Sequence, residues 1–271
     1  MKNNFNISRF GKYFLYDLRQ LWRNNGKAVI LIGLIGVIMY FTYLLTALIF
    51  TRQWKYPGIE VRTVMFFVSS VILVLYTART YGHLTDKKSG STWLMIPASR
   101  IEKFVSLLIS TLICIPVAFV GVYFASDAIL TAIDPNMSKT ICGTVVSGAI
   151  DLAKLMSGSL EEIYISPFQF YLACTLSLMG SILYFVLCGI IFKKWKIAGA
   201  IGIIFLLQVL FTNIIGLIFQ FTDIAAWIDT WEVADAQGLV DRFFVYGNLI
   251  NLLQLVLLGW LIYLRIKTLK H

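Results

Sequence analysis

Charge is what this chain has least of. Only 14% of its 271 residues are Asp, Glu, Lys or Arg, where a soluble domain carries about a quarter. Histidine is nearly missing too, with His83 and His271 alone, and neither lies in an apolar stretch. His83 and Asp86 stand at i and i+3 in a basic loop, where they read as a solvated pair rather than a catalytic dyad. The four cysteines, Cys114, Cys142, Cys174 and Cys188, show neither a disulfide framework nor metal-ligand spacing. Clustered Asp residues of the kind that hold Mg²⁺ are lacking. A membrane enzyme needs a nucleophile, acid/base or metal constellation, so these absences argue against catalysis, a resident metal or a cofactor in this chain.

What is present is apolar. Hydrophobic residues make up 59% of the chain and the mean hydropathy is +0.80. Six stretches carry no Asp, Glu, Lys, Arg or His: 28–50, 63–78, 104–125, 168–192, 197–221 and 243–264. At ~20 residues per crossing, they predict an all-α integral membrane protein with six transmembrane helices and no room for a large soluble domain. The first stretch starts too far in and lacks a small-residue cleavage site, so it reads as a retained span rather than a signal peptide. The second has 16 residues, which cover only ~24 Å of a ~30 Å core; snorkelling of Arg62 and Arg79 would complete it.

The net charge of +9 acquires meaning once it is sorted by segment. The odd-numbered segments between the apolar stretches hold 17 basic and three acidic residues, the even-numbered ones six basic and 11 acidic. By the positive-inside rule both termini are cytoplasmic. The basic excess is then a topology signal and a contact with anionic lipid, not a nucleic-acid patch.

Residues 1–27 form an N-terminal cytoplasmic segment, 28–264 the six-helix domain and 265–271 a tail. On a helical wheel Phe10, Tyr13, Phe14, Leu15, Leu18, Leu21 and Trp22 share one side, with Arg9, Lys12, Arg19 and Arg23 opposite. This predicts an interfacial elbow helix, with a bend at Asn24, Asn25 and Gly26 into the first span. Asp17 sits close to the apolar sector as a misfit whose partner the sequence does not name. Two roles stay open for the segment, a membrane anchor and an element that transmits movement.

Residues 79–103 form the one sizeable inner loop after the N terminus. Ser99 and Glu102 have capping-box spacing, and Pro97 disfavours helix at Ile96, so a helix is expected to start at Arg100. Trp93, Leu94, Met95 and Ile96 put apolar surface into the loop, to be buried against the bundle or a partner.

The run WLMIPASRIEKFVSLLI resembles the LPxSRxEKxxxKLL stretch that follows the second span in many permease subunits of type-2 ABC exporters. The motif covers about 17 residues; the architecture of elbow helix, six spans and cytoplasmic ends is similar over the whole chain. The resemblance implies a permease of an ATP-driven exporter in a bacterial inner membrane, working as a homodimer or with a related permease. It also implies a coupling helix at Thr85 to Ile96 that docks on a separate ATPase, with Asp86, Lys87, Lys88, Trp93 and Leu94 as contact candidates. No G-x-x-x-x-G-K-[ST] loop occurs in this chain, since Gly26-Lys27 is followed by Ala28, so ATP belongs to the partner subunit. The 42-residue outer loop 126–167 departs from the family pattern.

Small residues recur every four positions at Ser106, Ser110, Cys114 and Ala118, and at Ala173, Ser177 and Ser181, as they do where helices approach closely. Gln208, Thr212, Gly216 and Gln220 repeat likewise, with Asn248, Asn251 and Gln254 on the last span. These polar faces read either as interhelical hydrogen-bond glue or as a pore or dimer face. In the loop 222–242, Ile224, Ile228 and Trp231 predict a short surface helix. Apolar stretches without ionisable groups argue against ion-coupled transport. An alternative from another class is a non-transporting membrane scaffold or sensor.

Overall fold

The computed structural model describes residues 5–52, 57–85, 90, 93, 95–134, 137, 140–143, 166–221 and 233–268. They are helical almost throughout, with no strand among the described residues. In chain order the helices are α1 (Ile7–Gly33), α2 (Ile35–Thr51), α3 (Ile59–Thr80), α4 (Arg100–Ile133), α5 (Pro167–Ile191), α6 (Lys196–Phe221) and α7 (Val233–Thr268). A single 3₁₀ turn, Gly82–Thr85, follows α3.

Among the described residues four helices are long and apolar enough to cross a membrane: α3, α4, α5 and the Asp241–Thr268 part of α7. The pair α1 and α2 would make a fifth if counted as one span with a 40° bend. In α6 the described apolar run is shorter, Lys196–Leu210.

The bend lies at Leu34, not at Asn24 to Gly26. Helix α1 runs unbroken through those residues because its far side is anchored on both flanks, with Leu21, Val29 and Ile32 all buried. Packing thereby overrides the weak helix propensity of Asn and Gly. Leu34 takes φ −87°, ψ 1°, outside the helical basin. The apolar side of the wheel is divided: Tyr13 and Leu21 are buried together with Asp17, while Leu15 and Trp22 are about half exposed.

Helix α3 has 22 residues, long enough for a ~30 Å core. Arg62 does not snorkel. It is buried and ion-paired with Asp127 of α4, and its Nη2 also donates to Thr131 Oγ1 at 3.2 Å. The second Asp127 oxygen accepts from the Ile141 N–H at 2.7 Å. The helices therefore outrun the charge-free stretches and carry a neutralised pair near one end, where the sequence predicts snorkelling of Arg62 and names no partner for it.

Helix α4 contains one wide turn at Ser110–Cys114, in which the Ile115 N–H reaches back five residues to the Ser110 carbonyl. Pro116 follows immediately and has no N–H to donate to Leu112, so the ladder is rearranged locally instead of broken. Helix α5 is central. Ile182, Leu183, Val186, Leu187 and Ile190 are buried in one core, and α5 packs most extensively on α7 and α3. At its crossing with α3 a β-carbon on Gly189 would lie 2.0 Å from the Ala78 carbonyl oxygen, so only glycine allows that approach. The other end of the α3–α4 seam is aromatic: the Phe66 ring lies 5.1 Å from Tyr123 and 6.1 Å from Phe119.

Candidate functional site: a polar clamp around the inner loop

Ser99 starts α4 as a capping box. Its Oγ accepts from the Glu102 N–H at 3.2 Å, and the Glu102 carboxylate accepts from the Ser99 N–H at 2.8 Å. The same carboxylate is 0% exposed and turns toward α1. Arg9 holds it through Nε at 2.9 Å and Nη2 at 2.7 Å, a forked pairing stronger than single contacts. The Asn6 N–H adds a fourth donor at 3.0 Å, while the Asn6 side chain caps α1 by accepting from the Ser8 and Arg9 N–H groups. One acid thus caps its own helix and fastens the start of another.

Glu102, in the first turn of α4, precedes the charge-free stretch that begins at Phe104. The guanidinium of Arg9 holds its carboxyl down to about 2, against the opposing effect of burial and with help from the Asn6 and Ser99 N–H groups. Four donors favouring the ionised form outweigh the desolvation that disfavours it.

Asp17 is the second fastening. It is 6% exposed, and its Oδ2 accepts from Tyr81 Oη at 2.8 Å and from Ser106 Oγ at 2.6 Å. Tyr81 follows α3 and opens the loop 79–103; Ser106 is one turn beyond Glu102. Asp17 therefore joins α1 to both ends of residues 79–103. The misfit of the helical wheel is the residue that ties the loop down. Two further bonds surround it: Tyr76 Oη donates to Asn25 Oδ1 at 2.9 Å, and Lys196 Nζ at the start of α6 donates to the Gly82 carbonyl.

Trp93 is turned inward, 5% exposed. Its carbonyl accepts from Lys103 Nζ at 2.8 Å, and that ammonium stands 4.6 Å from its ring centroid, within cation–π range. As a docking residue for a partner it is therefore corrected: it packs the loop onto its own bundle, and burial leaves no side-chain surface to offer. Met95, two residues on, is 82% exposed, the most exposed apolar side chain among the described residues of the loop. Asp86, Lys87, Lys88 and Leu94 lie outside the described residues.

The polar faces divide. Asn248 is buried and its Nδ2 donates to the Gln169 carbonyl at 3.3 Å, an α7–α5 link; Asn251 is half-buried on the same helix. Gln208 and Thr212 are exposed, so within one chain they glue nothing. The Gln220 side chain lies outside the described residues, as do residues 222–232 and nearly all of the outer loop beyond Gly143. Of the small residues on α4, Ser106 carries a bond the spacing alone could not announce. Ser177 on α5 is exposed.

The arrangement offers no acid/base pair aimed at an open pocket, and among the described residues no group of three His, Cys, Asp or Glu side chains could hold a metal ion. Its charges and hydroxyls join the loop to α1 and to the start of α4 and α6. No family model, curated protein or solved structure matches this chain.

Proposed function

We propose that this chain is the transmembrane subunit of an ATP-driven exporter, crossing a bacterial inner membrane six times with both ends in the cytoplasm. ATP is hydrolysed on a separate ATPase subunit that docks on residues 79–103. The observation that carries this reading is the double fastening of that loop. Its first residues are held to α1 by Tyr81 on Asp17, its last by Glu102 on Arg9, so a push on the loop moves α1 and α4 as one body. An inner loop without mechanical work to do could be solvated and loosely attached. The resemblance of Trp93 to Ile109 to the exporter permeases supports the same reading.

In this mechanism ATP-driven closure of two ATPases pushes two such loops, one per permease, and the bundle switches between inward and outward access. The N-terminal half of α1 acts as the elbow that receives the push. Exposed Gln208 and Thr212 on α6 face the second permease or the substrate path. With Trp93 turned inward, contact with the ATPase falls to Asp86, Lys87, Lys88, Leu94 and Met95.

Affinity purification of the tagged chain from its native host tests the proposal. An ATPase subunit is expected to co-purify, and Lys87→Glu with Lys88→Glu to lower its recovery severalfold. Repeated purification without any ATPase would reject the exporter and favour a scaffold or sensor.

A further inference from the structure

Between α1 and α4 lies a cleft of about 640 Å³, within the size range of small-molecule sites. Leu21, Trp22 and Val29 wall it on one side, Cys114, Ile115 and Ala118 on the other. It stays open for three local reasons. Cys114 and Ala118 are small. The wide turn Ser110–Cys114 shifts the α4 backbone beside it. The Trp22 ring lies back over Gly26, where a β-carbon would meet it at 2.9 Å and push it away.

Two arginines, Arg19 and Arg23, stand one turn apart on the same cleft, and no carboxylate lines it. The depth of the cleft is fixed by its neighbours. Helix α1 runs parallel to α4 from the Asp17–Ser106 bond to the close approach of Gly33 and Val122, so Cys114 to Ala118 fall inside the charge-free stretch 104–125. An apolar space at that depth takes a hydrocarbon chain in preference to water. Two guanidinium groups at its edge require an anion, and a zwitterionic headgroup brings its own cation with it.

We infer that this cleft is a binding site for an anionic phospholipid, with the phosphate on Arg19 and Arg23 and one acyl chain between α1 and the wide turn of α4. The site rests on α4 crossing a bilayer and not on the exporter reading. It would place a lipid directly beside the clamp, between the two helices that the inner loop joins.

Trp22 reports on the site. The full chain is reconstituted in nanodiscs of phosphatidylcholine containing a small fraction of phosphatidylglycerol, with bromine on the acyl chains of one lipid or the other. Trp22→Phe, measured in parallel, isolates the Trp22 share of emission from the other six tryptophans. At equal mole fraction, brominated phosphatidylglycerol is expected to occupy the cleft on the order of tenfold more readily than brominated phosphatidylcholine. Arg19→Gln with Arg23→Gln removes that preference. Ala118→Phe fills the cleft without touching either arginine and lowers Trp22 quenching by both lipids, so it decides the matter if the double variant fails to fold. Equal quenching by the two lipids, or a preference that survives both the double variant and Ala118→Phe, overturns the site. No quenching of any tryptophan by either lipid overturns the bilayer placement on which the site rests.

Discussion

At the scale of single residues, the end of this protein that carries residues 79–103 depends on acids that accept from more than one element. Asp17 serves two hydroxyls from different parts of the chain. Asp17→Ala strands both in a buried setting and is expected to cost about 1–3 kcal/mol, read as a lower unfolding temperature in detergent. Asp17→Asn keeps an acceptor oxygen and should lose clearly less. Arg62 and Asp127 form the corresponding pair at the other end; Arg62→Ala leaves an uncompensated buried carboxylate, a loss of about 3–5 kcal/mol. Glu102 sets a pH limit. Its carboxyl is lowered from an ordinary 4.5 to about 2, so its stabilisation is complete above pH 4.5 and disappears as the pH falls from there toward 2. Limited proteolysis of the loop should therefore stay constant between pH 7 and 5 and accelerate only below about 4.5. Proteolysis that stays unchanged as the pH falls from about 5 to about 3 would show that Glu102 is not held by Arg9.

At the scale of elements, legibility followed the range of the interaction. The capping box of α4 was readable because Ser99 and Glu102 are three residues apart, and most apolar helices were readable because charge-free stretches are local features, although the stretch 28–50 is divided at Leu34. The partners of Asp17 lie 64 and 89 residues away, and no periodicity encodes such pairings. The bend was misplaced for a related reason. Asn24 to Gly26 carry a local breaker signal, but the contacts of Val29 and Ile32 are tertiary and hold the helix through it. Trp93 was assigned to a partner because an apolar run in a loop does not say which surface covers it. Gly189 belongs to this scale too. A methyl group there collides with the Ala78 carbonyl, so Gly189→Ala must part α3 from α5 and should destabilise by about 1–3 kcal/mol, whereas Gly202→Ala in α6, with nothing within 4 Å, should be neutral to slightly stabilising in the same thermal assay.

At the scale of the whole molecule, charge is sorted into two fastenings and otherwise kept from the membrane core. One joins α3 to α4 through Arg62 and Asp127. The other joins the inner loop to α1 and α4 through Glu102, Arg9, Asp17 and Tyr81. In the proposed exporter the second makes the loop, the elbow segment and the start of α4 a single lever, so their spacing is conserved while the rest of the bundle changes access. Spin labels at Met95 in the loop and Leu15 on α1, both outward-facing, measure that spacing in a chain whose four cysteines are replaced. In the complex with its ATPase, the distance distribution is predicted to be the same with and without ATP, and to broaden and become nucleotide-dependent when Asp17→Ala and Glu102→Ala open the clamp. A Met95–Leu15 distance that shifts with ATP while the clamp is intact would contradict the lever.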